Sequence, residues 1–269
     1  MSKITVLNSG PLPSVGPGID IAAHLRSDMN RLKGEFYDLE RGKVDYAAMR
    51  DSAAYRDYVT CTALLREFDP GQLGSREEKF AFWINLYNTL VIHGIIELNI
   101  RESVKEVPGF FHRTGYLIGG LVFTPDHIEH GILRGNRRPF HRVFKRFSAS
   151  DPRLALCIDP PDPRIHFTLV CASSSCPPIN FYMPERIEQQ LEMAAAGFIN
   201  GAEVEVVLAH NLLRLSPIFR WYALDFGGRS GIVGTLVRYL DQGEKRDFVQ
   251  SRGRSVRIEW KDYDWRLNR

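Results

Sequence analysis

The chain has 269 residues, of which 44% are hydrophobic and 25% charged, a composition typical of globular proteins with a substantial core. Its formal net charge of +3, from 35 basic and 32 acidic residues, is too small to indicate a polyanion as partner, so we expect no nucleic acid partner. The four cysteines come without an apolar export signal or a run of transmembrane length, which predicts a cytoplasmic protein with reduced thiols and no membrane association.

The N-terminal part of the chain divides into a leader and a helical portion. Residues 1–19 are rich in proline and glycine and predict a flexible leader. Apolar residues at helical spacing predict helices over 20–41 and 51–68. We therefore expect one α+β domain over 20–269, with residues 20–72 as its helical N-terminal portion.

The next predicted helix is apolar around nearly its whole circumference. Ser75 and Glu78 form a capping-box pattern, and the sequence EEKFAFWINLYNTLVIHGIIE follows. A helix of this kind is buried, so the amides of Asn85 and Asn88 need hydrogen-bond partners. Two roles stay open for them: orienting a catalytic group or substrate, and clamping a neighbouring loop.

A hairpin around Gly119-Gly120 and a helix over 125–134 come next. The helix carries His127 and His130 three residues apart, which could share a metal ion, although this is not the HExxH zinc pattern. It also carries Glu129 and Arg134, either as an ordinary ion pair or as part of a site. The basic run over 134–146 is interpreted as a solvated face or loop, with binding of a phosphate-bearing ligand as the alternative.

The stretch DPRIHFTLVCASSSCPPINFY, residues 162–182, concentrates more reactive side chains than any other. Its apolar run predicts a buried strand over 165–171, which would put His166 and Cys171 on opposite faces, about 17 Å apart at about 3.3 Å per residue. Small residues then lead to Cys176 before a double proline. Three roles stay open for Cys176: a nucleophilic thiolate, a redox or disulfide partner of Cys171, and an inert, partly buried thiol.

The remaining chain predicts a helix over 184–200, a hairpin over 204–216, helices over 217–228 and 231–242, and a final strand within 256–268. No glycine-rich phosphate loop is present, so no nucleotide cofactor, and no cofactor of another kind, is indicated.

Several of these stretches together resemble the "domain of unknown function 547" family over about residues 44–269. The matching stretches are VDY at 44–46, EEKFAFWINLYNTL at 77–90, TPDHIEHGILR at 124–134, DPRIHFTLVCASSSCPP at 162–178, SPIFRWYALDFG at 216–227 and YDWRLN at 263–268. The family has been likened to papain- and transglutaminase-like thiol enzymes, so the resemblance implies an α+β fold with a small, mostly antiparallel sheet packed on a buried central helix. The positions it implies for a shared site are Asn85, Asn88, Glu129, Arg134, His166, Cys176 and Asp264.

Three hypotheses follow from these observations. In the first, the protein is a thiol enzyme for acyl transfer or for amide or thioester hydrolysis of a small-molecule or peptide substrate. Cys176 is then the nucleophile, His166 or His130 the base, Asn85 the orienting or oxyanion-binding group, and the other implied positions bind substrate or support the site. In the second, the protein is a non-catalytic binding module with a structural polar network. In the third, a zinc ion binds at His127, His130 and Cys176.

Overall fold

The structure is a computed structural model that describes residues 4–14, 18–38, 41–139, 144–253 and 255–269. The first three leader residues, residues 15–17 and residues 140–143 of the basic run therefore lie outside the described residues. Helices and short strands are mixed along the chain, which confirms the predicted α+β class. The division into a leader, a helical portion and one domain stays a prediction.

The described residues form α-helices and β-strands in the following order. The helices are α1 (Ile21–Phe36), α2 (Tyr46–Asp51), α3 (Ala53–Thr62), α4 (Arg76–Glu97), α5 (Phe110–Arg113), α6 (Ile187–Ile199), α7 (Pro217–Trp221), α8 (Gly228–Tyr239) and α9 (Glu244–Arg252). The strands are β1 (Thr5–Val6), β2 (Tyr37–Asp38), β3 (Lys43–Val44), β4 (Thr114–Ile118), β5 (Leu121–Phe123), β6 (Val204–Val207), β7 (Leu212–Leu215) and β8 (Arg257–Trp260).

Helix α4 is the buried central helix that its apolar circumference predicted. Ser75 caps it by accepting a hydrogen bond from the backbone of Glu78, and the Glu78 side chain accepts from the backbone of Ser75 in return. Every residue from Phe80 to Ile96 is buried. Helix α4 therefore serves as the scaffold on which the rest of the molecule packs.

The strands form three small sheets. Strand β4 pairs antiparallel with β5 and parallel with β1, and β7 pairs antiparallel with β6 and parallel with β8. The two predicted hairpins are thereby confirmed; Gly119 and Gly120 both have positive φ, as a tight turn between β4 and β5 requires. Strands β2 and β3 form a separate antiparallel pair.

Part of the predicted leader is fixed to the domain. Strand β1 pairs with β4, and the Asn8 side chain donates to the backbone carbonyls of Thr62 and Leu117 and accepts from the Leu117 backbone. Asn8 is 1% exposed, so these bonds satisfy a buried amide.

The predicted strand over 165–171 is wrong, because residues Pro163–Phe167 form a 3-10 helix instead. Asp162 caps this turn by accepting from the backbone of Arg164, and Pro163 occupies its first position. Aspartate followed by proline starts a helical turn more readily than a strand. Two residues of the turn belong to different core clusters: Ile165 packs with the cluster around α4, and Phe167 with the cluster built by α6, α8 and the sheet of β6–β8.

Candidate functional site

One cavity of about 680 Å³ collects most of the reactive side chains that the sequence singled out. Its acidic, imidazole, thiol and phenol groups come from Tyr87, His112, Asp126, Glu129, His130, His166, Cys171, Cys176, Tyr222 and Tyr263. The predicted site residues Glu129, His130, His166 and Cys176 thus share one cavity. The prediction that His166 and Cys171 point to opposite faces assumed a strand over 165–171, and it is wrong because that strand is absent.

The two cysteines on the cavity wall are joined to each other. Cys171 and Cys176 form a disulfide with their Cα atoms 6.2 Å apart. The chain can turn between them because Ala172 has a positive φ of 62°. The Tyr263 hydroxyl lies 3.1 Å from the Cys171 sulfur and 3.2 Å from the Cys176 sulfur. Of the open roles for Cys176, the pairing with Cys171 is the one present in this structure.

The C-terminal backbone holds the serine loop between the cysteines. The Ser174 backbone N–H donates to the Arg266 carbonyl at 2.8 Å, and the Asp264 backbone N–H donates to the Ser175 hydroxyl at 3.1 Å. The Asp264 carboxylate itself pairs with the Arg266 side chain at 2.6 Å and does not line the cavity. Asp264 therefore contributes to the loop's position through its backbone.

His166 is fixed by a buried carboxylate. Its Nε2 lies 2.9 Å from Oδ2 of Asp225, and its ring stacks on the Tyr222 ring with 3.7 Å between centroids. Asp225 also accepts from Arg134, at 2.5 Å from Nε and 3.1 Å from Nη2. The ion-pair partner of Arg134 is consequently Asp225 rather than Glu129, and the Arg134 side chain supports the cavity from behind.

Glu129 and His130 lie on a π-helical segment, His127–Leu133, where the sequence predicted an ordinary helix. Tyr222 donates a hydrogen bond to the Glu129 carboxylate. His130 Nδ1 lies 2.8 Å from the Arg134 guanidinium, and its Nε2 lies 3.5 Å from the Asp126 carboxylate. π-Helical segments are frequent at functional sites. This one turns two consecutive polar side chains toward the same cavity.

Burial and neighbouring charges set the protonation of this network. Burial lowers the pKa of His166 and outweighs the opposing effect of Asp225, so His166 is neutral at pH 7. Burial alone would raise the pKa of Glu129, but His130 and the hydrogen bond from Tyr222 outweigh it and leave the pKa below its ordinary value. Burial also opposes ionisation of Asp225, yet His166 and Arg134 lower its pKa well below the usual range. The network around the cavity therefore combines a neutral His166 with the ionised carboxylates of Glu129 and Asp225.

Asn85 and Asn88 lie outside the cavity lining and clamp backbone segments. The Asn85 amide donates to the Tyr182 carbonyl and accepts from the Tyr182 backbone N–H, each at 2.8 Å. Asn88 donates to the Thr168 carbonyl at 3.0 Å and accepts from the Val170 N–H at 2.9 Å. Of the two roles predicted for these amides, the geometry matches the loop clamp. The amide of Asn85 does not face the cavity as an oxyanion donor would.

The third hypothesis, a zinc site, fails on geometry. His127 Nδ1 accepts from the Thr124 backbone and lies 3.1 Å from the Arg153 guanidinium, and burial, aided by Arg153, lowers the pKa of His127 to about 4. His127 is also absent from the lining of the cavity that holds His130 and Cys176. The predicted ligands are thus not assembled around one point.

The sequence analysis did not identify Tyr222 and Tyr263, which line the cavity, or Asp225, which bonds His166 from outside the lining. Tyr222 and Asp225 lie in the stretch SPIFRWYALDFG and Tyr263 in YDWRLN, both of which carried the family resemblance. A polar residue inside such a stretch was the available signal. Their partners lie far away in sequence, so spacing alone could not have assigned them.

Comparison with known proteins supports the family and nothing finer. No curated protein and no solved structure matched the chain, so the likeness to papain-like folds stays a prediction. Within the described residues, the helices are all too short or too polar to cross a bilayer. Residues 71–199 match the model of the family described as "Protein of unknown function, DUF547". The resemblance that the sequence motifs indicated is thereby confirmed for residues 71–199.

Proposed function

We propose that the protein is a thiol-dependent enzyme for acyl transfer, or for hydrolysis of an amide or thioester, with Cys176 as its nucleophile. The observation that carries the proposal is that Cys176 and His166 line the same cavity, while Asp225 bonds His166 from outside that lining. A nucleophile, a base and a carboxylate that orients the base are the three parts of a catalytic triad. The active form is the reduced protein, and the reducing cytoplasm that the sequence predicts would supply it.

The chemistry assigns one role to each group. The neutral His166 accepts the thiol proton of Cys176 at Nδ1, because Nε2 is held by Asp225. The thiolate attacks the substrate carbonyl carbon and forms a thioester, and the leaving amine or thiol takes the proton from the imidazolium. Water or an acceptor nucleophile then attacks the thioester and regenerates the Cys176 thiol. Asp225 stabilises the imidazolium between these steps.

The cavity also bounds the substrate. Its volume of about 680 Å³ lies within the range of small-molecule sites, roughly 300–1,000 Å³. The rings of Phe110, Trp221 and Trp265 contribute to its lining beside Lys105. This composition favours an apolar or aromatic acyl group, from a small molecule or a peptide, rather than a highly charged one.

The test is the pH dependence of alkylation of the reduced protein by iodoacetamide, with each labelled cysteine located by mass spectrometry. We expect Cys176 to react with an apparent pKa below the roughly 8.5 of a free thiol. In His166→Gln that pKa should return toward 8.5, while Cys171→Ser, which only removes the disulfide partner, should retain the fast reaction. If Cys176 in the reduced wild type reacts no faster than Cys157, the proposal fails.

A non-catalytic binding module is the second candidate, and one observation favours it. The polar groups behind the cavity already satisfy one another: Arg134 bonds both His130 and Asp225, and Tyr222 bonds Glu129. Such a network can have a purely structural role, in which it fixes the shape of a binding cavity. This candidate expects His166→Gln to lower stability without changing the reactivity of Cys176, so the same alkylation series separates the two.

A further inference from the structure

A second cluster of metal-binding side chains lies away from the cavity, where helices α1 and α3 pack together. His24 and Asp28 are one turn apart on α1, and Cys61 is near the end of α3. One donor atom from each of the three lies within 4.8 Å of the others. None of the three lines the cavity.

We propose that His24, Asp28 and Cys61 form a binding site for a divalent transition-metal ion of the zinc type. The donor set selects this class, because a thiolate and an imidazole favour zinc, whereas magnesium and calcium prefer sites made only of oxygen ligands. Three protein ligands leave a fourth tetrahedral position for water or another ligand.

The geometry needs little adjustment to hold the ion. Bond lengths of about 2.3 Å to sulfur and about 2.0–2.2 Å to nitrogen and oxygen place tetrahedral donors about 3.3–3.7 Å apart. The donor atoms here lie within 4.8 Å of one another, so a shift of about 1 Å, within the range of side-chain rotation, completes the site. The ion can enter from solvent because His24 is exposed, while the Cys61 side of the site is buried.

The carboxylate in this cluster, that of Asp28, makes no ion pair within the described residues. Asp28 Oδ2 is buried and makes no hydrogen bond within the part of the chain that is described. Arg31, one turn further along α1, is already committed to Glu35 at 3.0 Å and to Asp57 at 2.8 Å. A bound cation would compensate the charge of Asp28 and would link α1 to α3.

The probe is Co²⁺ added to the reduced, chelator-treated full-length protein. A cobalt ion bound by a thiolate gives an intense near-ultraviolet charge-transfer band, so we expect this band to saturate at one equivalent and to disappear on addition of Zn²⁺. Removing an outer-shell partner costs about 10–100-fold in metal affinity, so losing a direct ligand should raise the Kd by at least about 100-fold. Cys61→Ser should abolish the band, and His24→Ala should weaken binding while changing only an exposed side chain.

Matched controls separate this site from the other thiols. Cys157→Ser removes the other cysteine that is free of a disulfide, and Cys171→Ser/Cys176→Ser removes the cavity pair; both proteins should keep the wild-type band. The proposal is overturned if the wild type shows no band, or if the band survives Cys61→Ser and is lost in the cavity double variant. These controls distinguish metal binding at this cluster from metal binding at the cavity cysteines, so the result does not depend on the enzymatic proposal.

Discussion

Asn88 offers a direct test of the loop clamp behind the cavity. Its amide is 0% exposed and bonds two backbone groups, the Thr168 carbonyl and the Val170 N–H, which are also buried. Asn88→Ala leaves both groups unpaired, and each buried unpaired group costs about 1–3 kcal/mol. We therefore expect the free energy of unfolding to fall by about 2–6 kcal/mol, measured by urea denaturation followed by circular dichroism.

Asn85→Ala is the matched control for this experiment. It removes two equivalent bonds from the same helix, those to the Tyr182 backbone, and should lower stability by a similar amount. Only Asn88, however, holds the segment that leads directly into Cys171. Alkylation of reduced Cys171 and Cys176 should therefore change rate in Asn88→Ala and stay near wild type in Asn85→Ala. A loss below about 0.5 kcal/mol in Asn88→Ala, the range of ordinary surface substitutions, would refute the clamp.

Two further predictions concern buried positions. Burial lowers the pKa of His93, which contacts the Tyr116 hydroxyl, to about 3, so the unfolded chain binds an extra proton below its own pKa of about 6.5. The stability contributed by neutral His93 should be complete above pH 6.5 and should fall by about 1.4 kcal/mol per pH unit between pH 6.5 and 3. Urea denaturation at several pH values should show that the free energy of unfolding depends less steeply on pH in His93→Gln than in the wild type. Equal slopes in the two proteins would contradict the prediction. Gly131→Ala would push a methyl group into the buried Phe147 ring, so urea denaturation should show the free energy of unfolding reduced by about 1–3 kcal/mol. An increase in the free energy of unfolding, as Gly→Ala gives in an uncrowded helix, would disprove the overlap.

The parts of the fold that depend on local signals could be predicted from the sequence. Helix α4 was predicted because a capping box precedes an unbroken apolar circumference, and the turn between β4 and β5 because Gly119-Gly120 permits positive φ. The segment 165–171 could not be assigned by the same means. A short apolar run fits a buried strand and a buried turn equally well, and tertiary packing against two core clusters decided for the turn.

The sequence predicted only those site residues whose chemical type alone suggests a reactive side chain. A cysteine between serines and a histidine in an apolar run are visible in sequence, and Cys176 and His166 indeed line one cavity. The carboxylate that fixes His166 is Asp225, 59 residues further along the chain, and no periodicity relates two such positions. Arg134 was assigned to the wrong carboxylate for the same reason, since its partner lies 91 residues away.

The segment that matches the family model depends on contacts from residues beyond it. Residues 71–199 contain Cys176, His166 and Glu129, but the groups that fix these side chains lie beyond residue 199. Asp225 holds His166, and the backbone of 264–267 holds the serine loop. Without the Asp225 carboxylate, the buried guanidinium of Arg134 would have no counter-charge beside His166, which would lower the stability of the fold. The matched segment therefore cannot keep this geometry by itself. The stretches at 216–227 and 263–268 therefore help to hold the geometry of the matched segment, because they carry the Asp225 carboxylate and the backbone contacts to the serine loop.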